Sequence, residues 1–427
     1  MKSITIPHEL FTLNRARLVG RLLPRSMALF NSNDIMPTNA DGSMGHLQNA
    51  DLFYLTGVHQ EETMLVLAPD AVDPANREVL FVREPNEHLT TWEGHKLDRE
   101  QAIELSGIKT IRWLSEFPTV FRQLMCEMDH VYLNTNEHQR NTSPVETRDA
   151  RFIRECQAAY PLHHYVRVAP IMHALRAVKS SFEVDAIQAA CELTGRGFER
   201  VCKFMKPGVN ETEIEAEFAH EFIRSKGQFA YAPIIASGPN NNILHYNSND
   251  LPCKDGELVL LDVGAGLGNF MSDMTRTIPA NGRFTERQKQ VYNAVLRIFR
   301  AQMAALVPGK TTKELRTECE ERTAKECVDL GLLRMEEIRN QKPGELAVSK
   351  FFMHGVSHPI GLDVHDATYN HLKIEAGWVM TVEPGIYIKE EGFGVRLENT
   401  VMVTENGQRD LMAKIPIEAD EIEALMS

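Results

Sequence analysis

Residues 258–277, LVLLDVGAGLGNFMSDMTRT, carry one aspartate at the end of an apolar β-like run and another just before the next, across a glycine-rich turn. A carboxylate in a run as apolar as LVLLDVGAG is costly to bury unless it is paired or holds a cation. Asp262 and Asp273 are eleven residues apart, so a hairpin between them can return the second to the first. Strand alternation then decides whether both face one side. If they meet, each raises the pKa of the other, and a divalent cation relieves the conflict. Residues 379–403, VMTVEPGIYIKEEGFGVRLENTVMV, repeat the arrangement with Glu383 on one run and Glu398 on the other.

Between the two hairpins lies HGVSHPIGLDVHD, residues 354–366, with His354, His358 and His365. Four carboxylates and one imidazole from this stretch make five ligands, and two divalent ions cancel the four negative charges. A donor set rich in oxygen with one imidazole favours Mn²⁺, with Co²⁺, Fe²⁺ or Zn²⁺ as alternatives, over a structural tetrahedral zinc. Taken singly, each acid has an ordinary reading as a rim residue or, for Glu398, a partner of Arg396. The order Asp–Asp–His–Glu–Glu among apolar neighbours selects the metal reading. A dinucleotide site in DVGAGLG is excluded, because its glycines are spaced G-x-G-x-G and a strand follows where a helix is required.

The chain has 427 residues, 43% of them hydrophobic, enough for more than one core. The expected fold class is α/β (α+β). A mixed α/β domain is expected over 1–175, with SMALFNS, DLFYLTGV, TMLVLAP, REVLFVRE and HVYLN as strands and EFPTVFRQLMCEMD as a helix. A second domain over 176–427 begins with a helix capped by Ser180 and Glu183 and stopped at Lys206 by Pro207-Gly208. Further helices open at Asn210, Thr285 and Thr311 and end at Gly227, Pro308-Gly309 and near Gly331. Helix, helix, hairpin thus occurs twice, which predicts two related halves.

A formal charge of −13 disfavours nucleic acid as a partner. No segment has the ~18 apolar residues of a membrane helix, and the N-terminus shows no signal-peptide block. Seven dispersed cysteines read as reduced thiols, so a cytoplasmic location is expected.

The motifs NADLFYLTGVHQEETMLVLAP, NNNILHYNSND, LLDVGAGLGNFMSDMTRTIPANGRFT, FFMHGVSHPIGLDVHD, TVEPGIYI and GVRLENTVMV together resemble the pita-bread metallopeptidases. Within them the chain is most similar to the Xaa-Pro aminopeptidases (aminopeptidase P), with prolidase as close kin. The resemblance covers essentially the whole chain, including the terminal EADEIEALM. It implies a creatinase-like N-terminal domain followed by a pita-bread domain with pseudo-twofold halves. It implies Asp262, Asp273, His358, Glu383 and Glu398 as metal ligands, with Asp273 and Glu398 shared by both ions. Asp262 would hold one ion, and His358 and Glu383 would complete the other.

By the same resemblance His354 and His365 line the substrate site, and His245 points toward the developing oxyanion. Arg396 and Tyr387 orient ligating carboxylates, and Asp363 and Asp366 are structural. The implied reaction cleaves the bond before a penultimate proline, with water shared by two cations as nucleophile and Glu383 moving the proton. The implied substrates are peptides with proline in second position. Prolidase, and a binding module that has lost catalysis, are the alternatives. A homo-oligomer (dimer or tetramer) is implied as well. TTWEGHKL resembles a stretch whose tryptophan reaches a neighbouring active site, which would make Trp92 a substrate contact; a core tryptophan is the other reading. Departures from the family pattern are Pro359 after the ligand histidine, Asn399 where a second acid is common, and a short loop, KEEGFG, between Tyr387 and Arg396.

Overall fold

The computed structural model describes residues 6–138, 143–342, 344–369 and 371–427. Residues 1–5, with which the expected N-terminal domain begins, lie outside the described residues. The chain divides into two compact units, with the division between Arg176 and Ala177.

The N-terminal unit is a six-stranded mixed sheet flanked by helices. Its strands are β1 (Ser26–Asn31), β2 (Met64–Leu67), β3 (Glu78–Val82), β4 (Thr110–Trp113), β5 (His130–Leu133) and β6 (His164–Arg167), in the order β4-β3-β2-β1-β5-β6. The antiparallel meander β1-β2-β3 forms its centre, and β4, β5 and β6 add in parallel. The helices are α1 (His8–Val19), α2 (Ala50–Thr56), α3 (Glu87–Glu93), α4 (Arg99–Ser106), α5 (Phe117–Glu127), α6 (Arg148–Ala159) and α7 (Ala169–Ala177). α5 lays Val120, Phe121, Leu124 and Met125 on the sheet, against Met27, Val66, Val79 and Phe81.

One expectation fails here: DLFYLTGV is not a strand but helix α2. Its aromatic and apolar residues suit a strand, yet the ends decide. The Asn49 side chain accepts from the amides of Asp51 and Leu52, and Gly57 closes the helix in the left-handed conformation. A side chain on Gly57 would also meet the Phe11 ring at 2.1 Å.

The C-terminal unit opens with α8 (Ser181–Phe204) and α9 (Glu211–Arg224). α8 starts with the expected Ser180–Glu183 box but stops at Phe204 rather than Lys206, since the residue before proline avoids the helical region. α9 stops at Arg224, short of Gly227. Strands β7 (Gln228–Phe229), β8 (Ile234–Ser237), β9 (Leu258–Asp262), β10 (Ala265–Leu267), β11 (Phe270–Met271) and β12 (Thr275–Pro279) follow. Helices α10 (Glu286–Ala305), α11 (Thr312–Asp329) and α12 (Met335–Arg339) lead to β13 (Val379–Val382), β14 (Gly385–Ile388), β15 (Phe393–Arg396), β16 (Asn399–Thr404), β17 (Gly407–Asp410) and α13 (Ala419–Leu425). Two helix pairs, each followed by a hairpin, give the repeated half that the sequence pattern predicts. Among the described residues no helix is long and apolar enough to cross a membrane.

Candidate metal centre

The first hairpin keeps one register along its length. β9 pairs with β12 with Asp262 opposite Thr275, and β10 pairs with β11 with Leu267 opposite Phe270. Its tip is Gly268-Asn269, both with positive φ (58° and 66°), as a two-residue turn of matching twist requires. In this register Asp273 lies across from Gly264, so Asp262 and Asp273 are diagonal neighbours on one face. Gly264 has no alternative: a β-carbon there would lie 1.9 Å from the carbonyl oxygen of Ser272.

The second hairpin does the same with its glutamates. Val382 is opposite Asn399 and Gly385 is opposite Arg396, which sets Glu383 directly across from Glu398. The hairpins meet back to back at a bridge between Thr275 and Glu398, whose amide donates to the Thr275 carbonyl at 3.0 Å. On the far side of β13, residues 356–360 run alongside it. Thr381 N donates to the His358 carbonyl at 2.9 Å, and Glu383 N to that of Val356 at 3.0 Å. Elements far apart in sequence are thereby laid edge to edge, with their acids and one imidazole converging.

Among the described residues Asp273, His358 and Glu398, all buried, each offer a ligand atom within 4.8 Å of the others. His358 Nε2 is 3.4 Å from Asp273 Oδ2 and 3.8 Å from Glu383 Oε1. His358 Nδ1 lies 3.1 Å from the Pro359 carbonyl, which can only accept, and Nε2 is the nitrogen that faces the carboxylates. Glu398 is half satisfied: Oε2 accepts from Thr275 Oγ1 at 2.7 Å, while buried Oε1 has no hydrogen-bond donor among the described residues. Burial first, and then the neighbouring carboxylates, hold Asp273, Glu383 and Glu398 well above the usual carboxylate range. This donor set fits divalent cations, which would replace the missing donors and the absent positive charge.

Asp262 joins the group through shared partners. Tyr231 donates to Asp262 Oδ1 and reaches Asp273 Oδ1, both at 2.6 Å, and Arg396 Nη2 pairs with Asp262 Oδ2. Arg396 also donates from Nε to Thr275 Oγ1 at 3.1 Å and from Nη1 to the Tyr387 hydroxyl at 2.8 Å. Burial pushes Tyr387 up to about 12, so it stays protonated and its hydroxyl donates a hydrogen bond to His354 Nε2, 2.8 Å away. His354 Nδ1 in turn lies 2.6 Å from the Gly355 carbonyl. Burial and then Arg396 hold this imidazole down to about 3, neutral with its proton on Nδ1. His365 stacks on His358, with ring centroids 3.9 Å apart. His245 is exposed to solvent, near enough to His354 for its charge to act there.

Tyr231, Thr275 and Thr381 belong to the site without standing in any of the sequence motifs' ligand positions. Tyr231 comes from a segment that reads as a plain strand, and no spacing singles it out. Thr275 is two residues beyond Asp273 on the same strand face, a signal that alternation contains. Thr381 accepts from the His358 amide at 3.1 Å. Asn399 donates to Asp410 Oδ2 at 2.7 Å, so a carboxylate still lies one contact beyond Glu398. Trp92 is 76% exposed on α3, which removes the core reading for it.

Buried acids converging with an imidazole on paired hairpins form a candidate metal site of the kind metallohydrolases use. The sequence pattern of metallopeptidase family M24 matches residues 185–405, and that of the aminopeptidase P N-terminal domain matches residues 11–132. The chain belongs to metallopeptidase family M24. It is 32% identical to the Xaa-Pro aminopeptidase of Haemophilus influenzae over 99% of this chain and 98% of that one. It is 31% identical to human Xaa-Pro aminopeptidase 3, over 98% of this chain and 84% of that relative. The structure of zinc-substituted E. coli aminopeptidase P in complex with product superimposes with a TM-score of 0.88, at 31% identity over 99% of both chains.

Proposed function

We infer that this chain is a metallo-aminopeptidase that hydrolyses the bond between an N-terminal residue and a penultimate proline. The observation that carries the reading is the convergence of Asp273, His358 and Glu398, with Glu383 and Asp262 beside them, in a chain similar over nearly its full length to Xaa-Pro aminopeptidases. Asp262, Asp273, His358, Glu383 and Glu398 are proposed to hold two divalent ions, of which Mn²⁺ best suits four carboxylates and one imidazole. When bound, such a pair supplies Lewis-acid polarisation of the scissile carbonyl and acidifies water.

The protein's own groups do the rest. Glu383, opposite Glu398 and 3.7 Å from His354 Nδ1, is proposed to take the proton from water and deliver it to the departing proline nitrogen. That nitrogen has no hydrogen in the peptide and must gain one to leave as an amine. His245 and His365 are proposed to donate to the carbonyl oxygen as it becomes negative. Both nitrogens of His354 are engaged, so it braces Tyr387 and, through it, the Arg396 that pairs with Asp262. A homo-oligomer in which Trp92 of one copy reaches another copy's substrate is proposed too; the exposure of Trp92, Met44 and Leu47 in the N-terminal unit supports it. Seven free thiols support a cytoplasmic location.

The test is hydrolysis of a tripeptide with proline second by Mn²⁺-loaded protein, beside the corresponding Xaa-Pro dipeptide. Release of the first residue from the tripeptide is expected. Cleavage of the dipeptide alone would make the chain a prolidase, and cleavage of neither, with no divalent ion retained after dialysis, would make it a binding module.

A further inference from the structure

His245 stands in a connection, residues 238–251, that has little regular structure beyond one short 3-10 turn, Gly238–Asn242. A loop residue placed to stabilise an oxyanion has to be held to a fraction of an ångström. The structure supplies a holder that the catalytic group does not include: Glu211, the first residue of α9, wholly buried. Its Oε1 accepts from the Ser237 amide at 2.7 Å and the Ser237 hydroxyl at 2.6 Å, where the loop begins. Its Oε2 accepts from the Tyr246 hydroxyl at 2.8 Å and the Leu251 amide at 3.0 Å, in the middle and at the end of the loop. One carboxylate therefore ties the loop at three points.

The surroundings reinforce the tie. The Glu211 amide donates to the Leu251 carbonyl at 2.9 Å. Asn249, strained at φ 46°, spends its side chain on the Ile235 amide, the Pro233 carbonyl and Glu215 Oε2. Leu244 and Tyr246 both turn inward to a small apolar cluster with Ile234, Leu260 and Tyr387. His245, between two inward residues, is exposed to solvent, within electrostatic reach of His354.

We propose that Glu211, acting through the Tyr246 hydroxyl, is a positioning residue that fixes His245 for the reaction. The proposal rests on the role given to His245 above. It accounts for why a charge-bearing acid is buried beside four donors at a distance from the metal ligands: a neutral amide could accept from only some of them, and the rest would be unsatisfied.

The test is a double-mutant cycle between Tyr246→Phe and His245→Ala in the full-length, Mn²⁺-loaded protein. Phenylalanine keeps the ring in the cluster and removes only the tie. Tyr246→Phe is expected to lower kcat about tenfold, with KM and bound metal per chain unchanged and with faster amide exchange over residues 243–251. In the His245→Ala background it should change kcat less than about twofold, because the group it positions is gone. Glu211→Gln should repeat the pattern more strongly; if that variant does not fold, the Tyr246→Phe cycle decides alone. Losses that multiply, or a Tyr246→Phe enzyme with wild-type kcat, would overturn the proposal and leave the peptidase reading intact. A His245→Ala enzyme with wild-type kcat would overturn both the role of His245 and the clamp.

Discussion

Replacing Lys179 by methionine should destabilise the C-terminal unit strongly. Lys179 Nζ lies 2.7 Å from Asp366 Oδ2, with both side chains only 2% exposed. The Lys179 amide donates to the Gly377 carbonyl at 2.9 Å, and the Asp366 amide to that of Pro359 at 2.9 Å, so the pair closes the loop that carries His358 and His365. There is no slack around it: a β-carbon on Gly361 would come within 2.2 Å of Asp366 Oδ2 and 2.9 Å of Lys179 Cε. At an effective dielectric of about 20 the attraction is roughly 6 kcal/mol, which about offsets the loss of hydration of two ions. The pair as a whole therefore contributes little, but leaving Asp366 buried without Lys179 costs about 3–5 kcal/mol. For a unit of this size each kcal/mol lowers Tm by about 2–4 °C, so Lys179→Met should unfold roughly 6–20 °C early. Thermal unfolding followed by circular dichroism measures it. A Lys179→Met/Asp366→Leu protein should regain most of the loss. If the single variant melts within about 2 °C of wild type, or the double variant melts lower still, the pair does not hold the loop in the manner described.

Two other outcomes follow from particular contacts. Asp149 is buried against Asn31 and its acid is pushed up to about 7 by burial, above the ordinary ~3.9 of an unfolded chain. A raised acid favours the fold fully below about pH 4 and loses that contribution as pH rises through 7, here of order 4 kcal/mol. Asp149→Asn should thus be more stable than wild type at pH 8 and lose the difference toward pH 4; parallel melting profiles across that range would refute this. Thr275 donates to Glu398 and accepts from Arg396, so Thr275→Val should weaken divalent-ion binding or activity about 10–100-fold, read by metal titration of the dialysed protein.

The acids were legible in the sequence because a hairpin fixes parity. Once LVLLD and MTRT are paired, Asp262 and Asp273 must share a face, and the same holds for Glu383 and Glu398. What pairing cannot reveal is anything set by contacts between the hairpins. The Thr275–Glu398 bridge joins residues 123 apart, and no local pattern announces it. The choice among three histidines in thirteen residues is likewise made by a neighbouring strand: residues 356–360 pair with β13, and the Pro359 carbonyl then fixes which nitrogen of His358 faces the acids. DLFYLTGV reads as strand because its side chains favour one, while the decision lies in Asn49 and Gly57 at its ends.

The hairpins are also locked together without using the carboxylates. Arg276, fully buried, donates from Nε to the Pro416 carbonyl at 2.8 Å and from Nη1 to those of Thr275 and Glu398 at 3.0 and 2.8 Å. Thr277 and Thr400 repeat the device, their hydroxyls bonding the backbone of Arg396 and Asp273 across the seam. Each of these bonds is made to a backbone carbonyl or amide, and none uses a carboxylate. Backbone contacts thus bring the acids to one seam, where divalent ions would offset their mutual repulsion.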